Sequence, residues 1–312
     1  MNKSLYLSTT IVLSAFAMAT TSFPAVAAEQ RTPFQPGVTT GSPVGATPPP
    51  GLYFNNDTYF SSGEVVDGRG DDIGVKIQGA QVAPLLLWVP KLSLFGAQYS
   101  ATFIQPYLLN NVDAAGAGGP NTISGGLFNT IISPESLSWS LGAGRFVSES
   151  VAIYLPDGTY KHTGTTTDAS AVANDFLTVE PSAAFSYLNH GWDITANNVV
   201  DLDTKNKVTD YQSGDVYYLD WTVAHSFGHL SAGLVGNYTQ QFTNDLHFGN
   251  VVGSRAAGTY GNRYMLASVG PMVSYDFGRV TLMFRYLQAV KAENGGKVSF
   301  AHLTLAFPIS IF

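Results

Sequence analysis

The stretch DVYYLDWTVAHSFGHLSAGLVGNYTQQ, residues 215–241, decides the fold class. In its first half Tyr217, Leu219, Trp221 and Val223 occupy every second position, with Tyr218, Asp220 and Thr222 between them. After Gly228-His229 the pattern restarts. Leu230, Ala232, Leu234, Gly236 and Tyr238 alternate with Ser231, Gly233, Asn237 and Thr239. Side chains on a strand point alternately to its two faces, so each half reads as a strand with one apolar and one polar face. Two later segments repeat the motif. Met265, Ala267, Val269, Val273 and Tyr275 alternate with Ser268, Gly270, Ser274 and Asp276. Val280, Leu282, Phe284 and Tyr286 alternate with Thr281 and Arg285, although Met283 blurs the pattern.

Composition says where the apolar faces point. Charged residues make up 12% of the 312-residue chain, about half the usual globular share. A soluble domain this poor in charge would be badly solvated, and a soluble β-sandwich would need short turns at both ends. Beyond the N-terminal leader, no run approaches the ~18 apolar residues that a membrane helix requires. What fits is an all-β chain whose apolar faces meet lipid. The absence of cysteine excludes disulfide scaffolds and thiol catalysis, and the lack of a basic patch excludes a nucleic-acid partner.

Residues 1–28 read as a signal peptide. Lys3 is the basic end, Thr10 to Thr20 the apolar core, and Ala25-Val26-Ala27 the small-residue cleavage site, with Ala28 a near-equal choice. Loss of Lys3 moves the formal net charge from −7 to −8. Residues 29–50 (EQRTPFQPGVTTGSPVGATPPP) are rich in Pro, Gly and Thr without periodicity. They read as an extended periplasmic lead, or as a plug that enters the barrel.

From residue 51 to 312 the chain reads as about twelve strands. Short joints fall at 89–91, 142–144, 189–191, 228–229 and 278–279, and long ones at 61–72, 108–126, 156–174, 203–214 and 243–262, with a short 294–296 turn as the exception. An even strand count with alternating short and long connections is the pattern of a bacterial outer-membrane β-barrel with antiparallel transmembrane strands. Closure removes both sheet edges, which lipid demands. The C-terminal Phe312 resembles the signal read by the outer-membrane barrel assembly machinery, but it is one residue out of step with Leu303, Leu305, Phe307, Ile309 and Ile311. Either the terminus bends or Phe312 points inward.

Four segments carry a family resemblance: PPPGLYFNNDTYFSSG (48–63), LSWSLGAGRFVSESVAIYLPDGTY (137–160), EPSAAFSYLNHGWDITANNVVDLDTKNKVTDYQSGDVYYLDW (180–221) and GLVGNYTQQFTND (233–245). They resemble the family of the MetA pathway of phenol degradation over nearly the whole mature chain, about 48–308. The resemblance implies an outer-membrane barrel and passive uptake of small hydrophobic or aromatic compounds. It brings no site residues. Tyr154, Pro156, Gly158, Tyr211, Gly214 and Asp220 match as turn and wall positions.

The polar faces nominate lumen-lining residues: Glu180, Asp193, Asp201, Asp220, Asp276 and Arg285. An isolated charge there is costly, so ion pairing is expected, with Asp220 or Asp276 as the natural partner of Arg285. Twelve strands imply a lumen between the filled eight-stranded barrels and the open channels of about sixteen. Tyr53, Trp88, Trp139, Tyr187, Trp192, Tyr217, Trp221 and Tyr275 fall near strand ends, as interfacial girdles do. The alternatives are a structural barrel without transport, or a lipid-acting barrel enzyme using His229, Ser231 and Asn237. In that trio Asn237 stands about 20 Å from Ser231 along an extended strand, too far for a relay. No metal-ligand spacing is present.

Overall fold

The computed structural model describes residues 33–163, 166–167, 171–255 and 258–312. The leader expected at 1–28 and its cleavage site lie outside these residues. The described chain forms a closed, antiparallel, twelve-stranded barrel. Its strands are β1 Gly51–Val66, β2 Asp72–Val89, β3 Ala97–Ile104 continuing as Tyr107–Asp113, and β4 Asn121–Leu127 continuing as Ile131–Gly142. There follow β5 Arg145–Tyr154, β6 Thr178–Asn189, β7 Trp192–Asp203, β8 Val216–Phe227 and β9 Leu230–Gln241. The last three are β10 Met265–Asp276, β11 Thr281–Glu293 and β12 Gly295–Ile311. Each strand pairs with its neighbours in sequence, and β1 against β12 closes the wall from Gly51↔Ile311 to Val66↔Gly295.

The alternation behaves as a barrel requires. On β8 the even residues Val216, Tyr218, Asp220, Thr222 and Ala224 are buried, while Tyr217, Leu219, Trp221 and Val223 face outward. Among the expected girdle residues Trp88, Trp192 and Tyr275 are exposed. The short-turn end is set by backbone chemistry. Asn189 pairs with Trp192, leaving His190 and Gly191 as a two-residue turn with φ of 51° and 79°. Two successive positive φ values match the right-handed twist of the flanking strands.

Several connections differ from expectation. The loop expected at 108–126 is mostly wall: Tyr107–Asp113 pairs with Asn121–Leu127, leaving only 114–120 between them. Above the bilayer both faces of a strand meet water, so the ladder continues after the apolar alternation has lapsed. For the same reason β1 extends to Val66 and the 61–72 loop shrinks to 67–71. The joint expected at 89–91 spans 90–96, because Ser93–Leu94 folds back on Ala97–Gln98. At the C-terminus the register shifts between Leu52↔Ser310 and Tyr53↔Pro308, so the strand bulges there. The terminus therefore bends: Ile309, Ile311 and Phe312 are all exposed, and the Phe312 N–H donates to Pro50 O at 3.0 Å.

Candidate functional site: the barrel lumen

Residues 33–50 run inside the barrel, from the short-turn rim at Pro50 towards the long-loop end. Glycine-rich sequence lets a backbone lie flat against a wall, and here backbone groups make most of the contacts. The Gly45 N–H donates to Ser186 Oγ (3.0 Å), and Gly45 O accepts from Ser138 Oγ (2.8 Å). Val44 O accepts from Ser148 Oγ at 2.9 Å. Further up, the Gly41 N–H donates to Thr222 Oγ1 (2.7 Å), the Gly37 N–H to Asp220 Oδ1 (3.0 Å), and the Phe34 N–H to Asp201 Oδ2 (3.2 Å). Thr39 gives Asp220 Oδ2 both its N–H (3.0 Å) and its hydroxyl (2.8 Å). Residues between these contacts close turns on themselves: Val38 N to Gln35 O, Thr40 N to Gly37 O, Ser42 N to Thr39 O.

Arg285 holds the segment from the opposite wall. Its Nη1 donates to Val38 O (3.0 Å) and to Thr40 O, while Nη2 donates to Asp57 Oδ1 and to Thr304 Oγ1 (2.9 Å). Asp57 also accepts from Thr304 Oγ1 at 2.6 Å and meets His302 Nδ1 at 2.7 Å. A guanidinium that is 1% exposed is thus neutralised by a carboxylate two strands away in the wall order β11-β12-β1, and that carboxylate is itself fully engaged.

The expected pairing of Arg285 with Asp220 or Asp276 is overturned. Its partner is Asp57, because closure sets β1 beside β12, and residues 37–40 lie between Asp220 and Arg285. Asp276 sits at the exposed short-turn rim and accepts the Gly278 N–H at 2.7 Å. Asp193 is half-buried near the same rim, bonded to Thr195 Oγ1 at 2.6 Å. Glu180 and Asp201 are buried on β6 and β7, and Glu180 accepts the Tyr154 hydroxyl at 2.7 Å. Asp57, His302 and Thr304 do not stand out in the sequence, although Asp57 is flanked on β1 by outward Asn56 and Thr58 and has the inward parity of Tyr59. On the long-loop side, Asp245 takes Tyr211 OH (2.6 Å), Gly214 N–H (2.8 Å) and Gln241 Nε2 (2.7 Å), and burial raises its pKa above the usual carboxylate range.

At the Arg285 level and above it, one side of the lumen is largely apolar. Tyr59, Leu266, Met272, Leu287, Val298 and Phe300 form one cluster, all with inward parity. Outside this wall the β11–β12 ladder ends at Leu287↔Phe300, and beyond it the Ala289 N–H finds the Ser299 hydroxyl at 3.0 Å. A pocket of about 380 Å³ opens there on the outer face, lined by Phe60, Ser62, Tyr286, Gln288 and Ser299. The trio His229, Ser231 and Asn237 is dispersed. Ser231 bonds Ser226, Asn237 bonds Asp220, and His229 lies against the Tyr275 ring.

The sequence pattern of the family described as "Putative MetA-pathway of phenol degradation" matches residues 56–301. The chain belongs to this family. No curated protein matches it. Among solved structures, this family member is similar to the COG4313 outer membrane channel from Pseudomonas putida F1, with a TM-score of 0.73 at 15% identity over 88% of this chain and 99% of that one. The β domain of the Bordetella autotransporter BrkA matches at TM-score 0.47 and 13% identity over 83% of this chain and 99% of that one. The TodX monoaromatic hydrocarbon channel, as a deletion mutant, matches at 0.42 and 11% over 85% and 92%.

Proposed function

We propose that this protein is a non-enzymatic outer-membrane channel for passive uptake of small hydrophobic compounds, aromatic ones included. The observation that carries the reading is the apolar inner wall of Leu266, Met272, Leu287, Val298 and Phe300. A water-filled pore has a polar interior, and an apolar one serves a cargo that sheds water. Membership of the phenol-degradation family and likeness to an outer membrane channel support the same reading. Insertion would follow export and the assembly machinery that reads the C-terminal strand.

Residues 33–50 act as the stopper of the axial route in this reading, held by Asp220 and Arg285. Cargo enters sideways from the membrane, where the β11–β12 ladder ends beside the outer pocket and the apolar wall lies directly behind.

Uptake of a labelled monocyclic aromatic at low concentration, in cells lacking the protein and in the same cells expressing it, tests this. Faster entry of the aromatic with unchanged entry of a small sugar is expected. Equal acceleration of both would replace the reading with a general pore, and no change in either would remove the transport claim.

A further inference from the structure

The stopper is held mainly through its backbone, with a few side chains beside it: the Phe34 ring packs on Tyr218, Val199 and Val216, and the Thr39 and Thr40 hydroxyls meet Asp220 and Arg285. The N–H groups of Phe34, Gly37, Thr39, Gly41 and Gly45 go to wall oxygens, while those of Val38, Thr40, Ser42, Val44 and Ala46 close turns within the segment. Asp220 collects two N–H groups and the Thr39 hydroxyl on one side, and Arg285 holds two carbonyls on the other. Contact distances set the register. A Cβ at Gly37 would lie 2.2 Å from Leu287 Cδ1, one at Gly41 would lie 2.5 Å from Met283 Sδ, and one at Gly45 would lie 2.7 Å from the Ser186 backbone N. Gly37 and Gly41 also have φ of 83° and 76°, which side chains rarely adopt. Three glycines four residues apart therefore fit three close approaches to the wall.

We propose that Asp220 and Arg285 form a peptide-backbone receptor inside the lumen, from which residues 33–47 dissociate as a unit and to which a peptide of the same sequence can bind from solution. The ligand class is a neutral Gly/Thr-rich peptide with glycines in the 37/41/45 spacing. The inference rests on reading this segment as the stopper of the channel. Two features make the site exchangeable rather than a permanent part of the wall. The segment's own turns satisfy five of its N–H groups whether or not it is docked, and water satisfies the rest when it leaves. On the wall, the two groups that grip the segment keep partners of their own when it leaves: Arg285 stays paired with Asp57 and bonded to Thr304, and Asp220 keeps the Asn237 amide. Water entering the emptied lumen then hydrates the Asp220 oxygens that the segment had covered, so no unpartnered buried charge holds the segment in place.

Single-channel conductance of the full-length protein in planar bilayers tests the proposal. Gly41→Leu unseats the segment by clash and by backbone strain, and Asp220→Asn weakens its grip while keeping side-chain shape. Both are expected to raise the open fraction at least tenfold over the parent, with Gly41→Leu the larger. A synthetic peptide of residues 33–47 added to the Gly41→Leu channel is expected to close it saturably, and the same peptide carrying Gly41→Leu is expected to fail. The proposal is overturned if both variants, shown to be folded by their heat-dependent gel mobility, stay as closed as the parent. It is equally overturned if the open variant ignores the natural peptide, or if both peptides block alike. Should Asp220→Asn fail to fold, Gly41→Leu and the peptide pair still decide. The readout uses ions and peptide only, so a failed aromatic-uptake assay would remove the cargo while leaving the receptor intact.

Discussion

The two sides of the lumen are built from opposite materials. On β6, β7 and β8 the inward buried residues include Thr178, Glu180, Asp201, Asp220 and Thr222. On β10, β11 and β12 they include Leu266, Met272, Leu287, Val298 and Phe300. The outer faces of the same strands are alike, because lipid imposes one requirement on all of them. Nothing in the membrane dictates the interior, so a difference there reflects what the interior holds. The polar side supplies hydrogen bonds to residues 34–45, whose backbone would otherwise be buried without partners. The apolar side is a buried cluster that meets the segment at Gly37 and Gly41 through Leu287 and Met283, contacts that need no hydrogen bond. Ser268, His302 and Thr304 are also buried and polar on this side, but Arg285 is the exception that reaches the segment, donating to Val38 O.

Breaking that exception gives the largest effect. Arg285→Met leaves Asp57 buried without its cation and frees Val38 O and Thr40 O, and losing one partner of a buried pair costs about 3–5 kcal/mol. The expected result is a clear fall in the temperature at which the folded, fast-migrating gel band is lost. An unchanged midpoint would mean that Asp57 finds another partner. Leu287→Ala on the apolar side removes a fully buried side chain and should cost about 2–4 kcal/mol if the wall is tightly packed. A loss well under 1 kcal/mol, read from the same melt, would show that this wall borders open space rather than packed core. Tyr154→Phe sharpens the polar side. It deletes the hydroxyl that donates to Glu180 at 2.7 Å, and a loss of about 1–2 kcal/mol is expected. A neutral result would indicate that Glu180 is satisfied by other groups.

Much of this was legible in the chain. The alternation in residues 215–241 gave strands, faces and lipid exposure without any tertiary information. The one blemish in the later segment 280–286, Met283 on the polar face of β11, carries information of its own. Met283, Leu287 and Ala289 share the parity of Arg285, so both faces of β11 are largely apolar. In a closed barrel that means an apolar lumen wall. The long loops were overestimated at 61–72 and 108–126, because strands outlast the bilayer and polar residues on both faces look like loop. Parity alone nominates Glu180, Asp201, Asp220 and Arg285, which are buried, and equally Asp276, which lies at a strand end in solvent.

The sequence by itself determined the wall: strand periods, turn residues with their positive φ, the even strand number and the apolar exterior. These depend on local geometry and on the solvent each face meets, and both act residue by residue. Only the tertiary structure decided which inward groups meet. Arg285 and Asp57 lie 228 positions apart and touch because closure of the sheet brings the first strand against the last. The course of residues 33–50 was equally hidden. A segment held largely by backbone N–H groups and carbonyls carries no strand or helix period, and its glycines at 37, 41 and 45 and its Phe34 and Thr39 contacts acquire meaning only against the wall they touch.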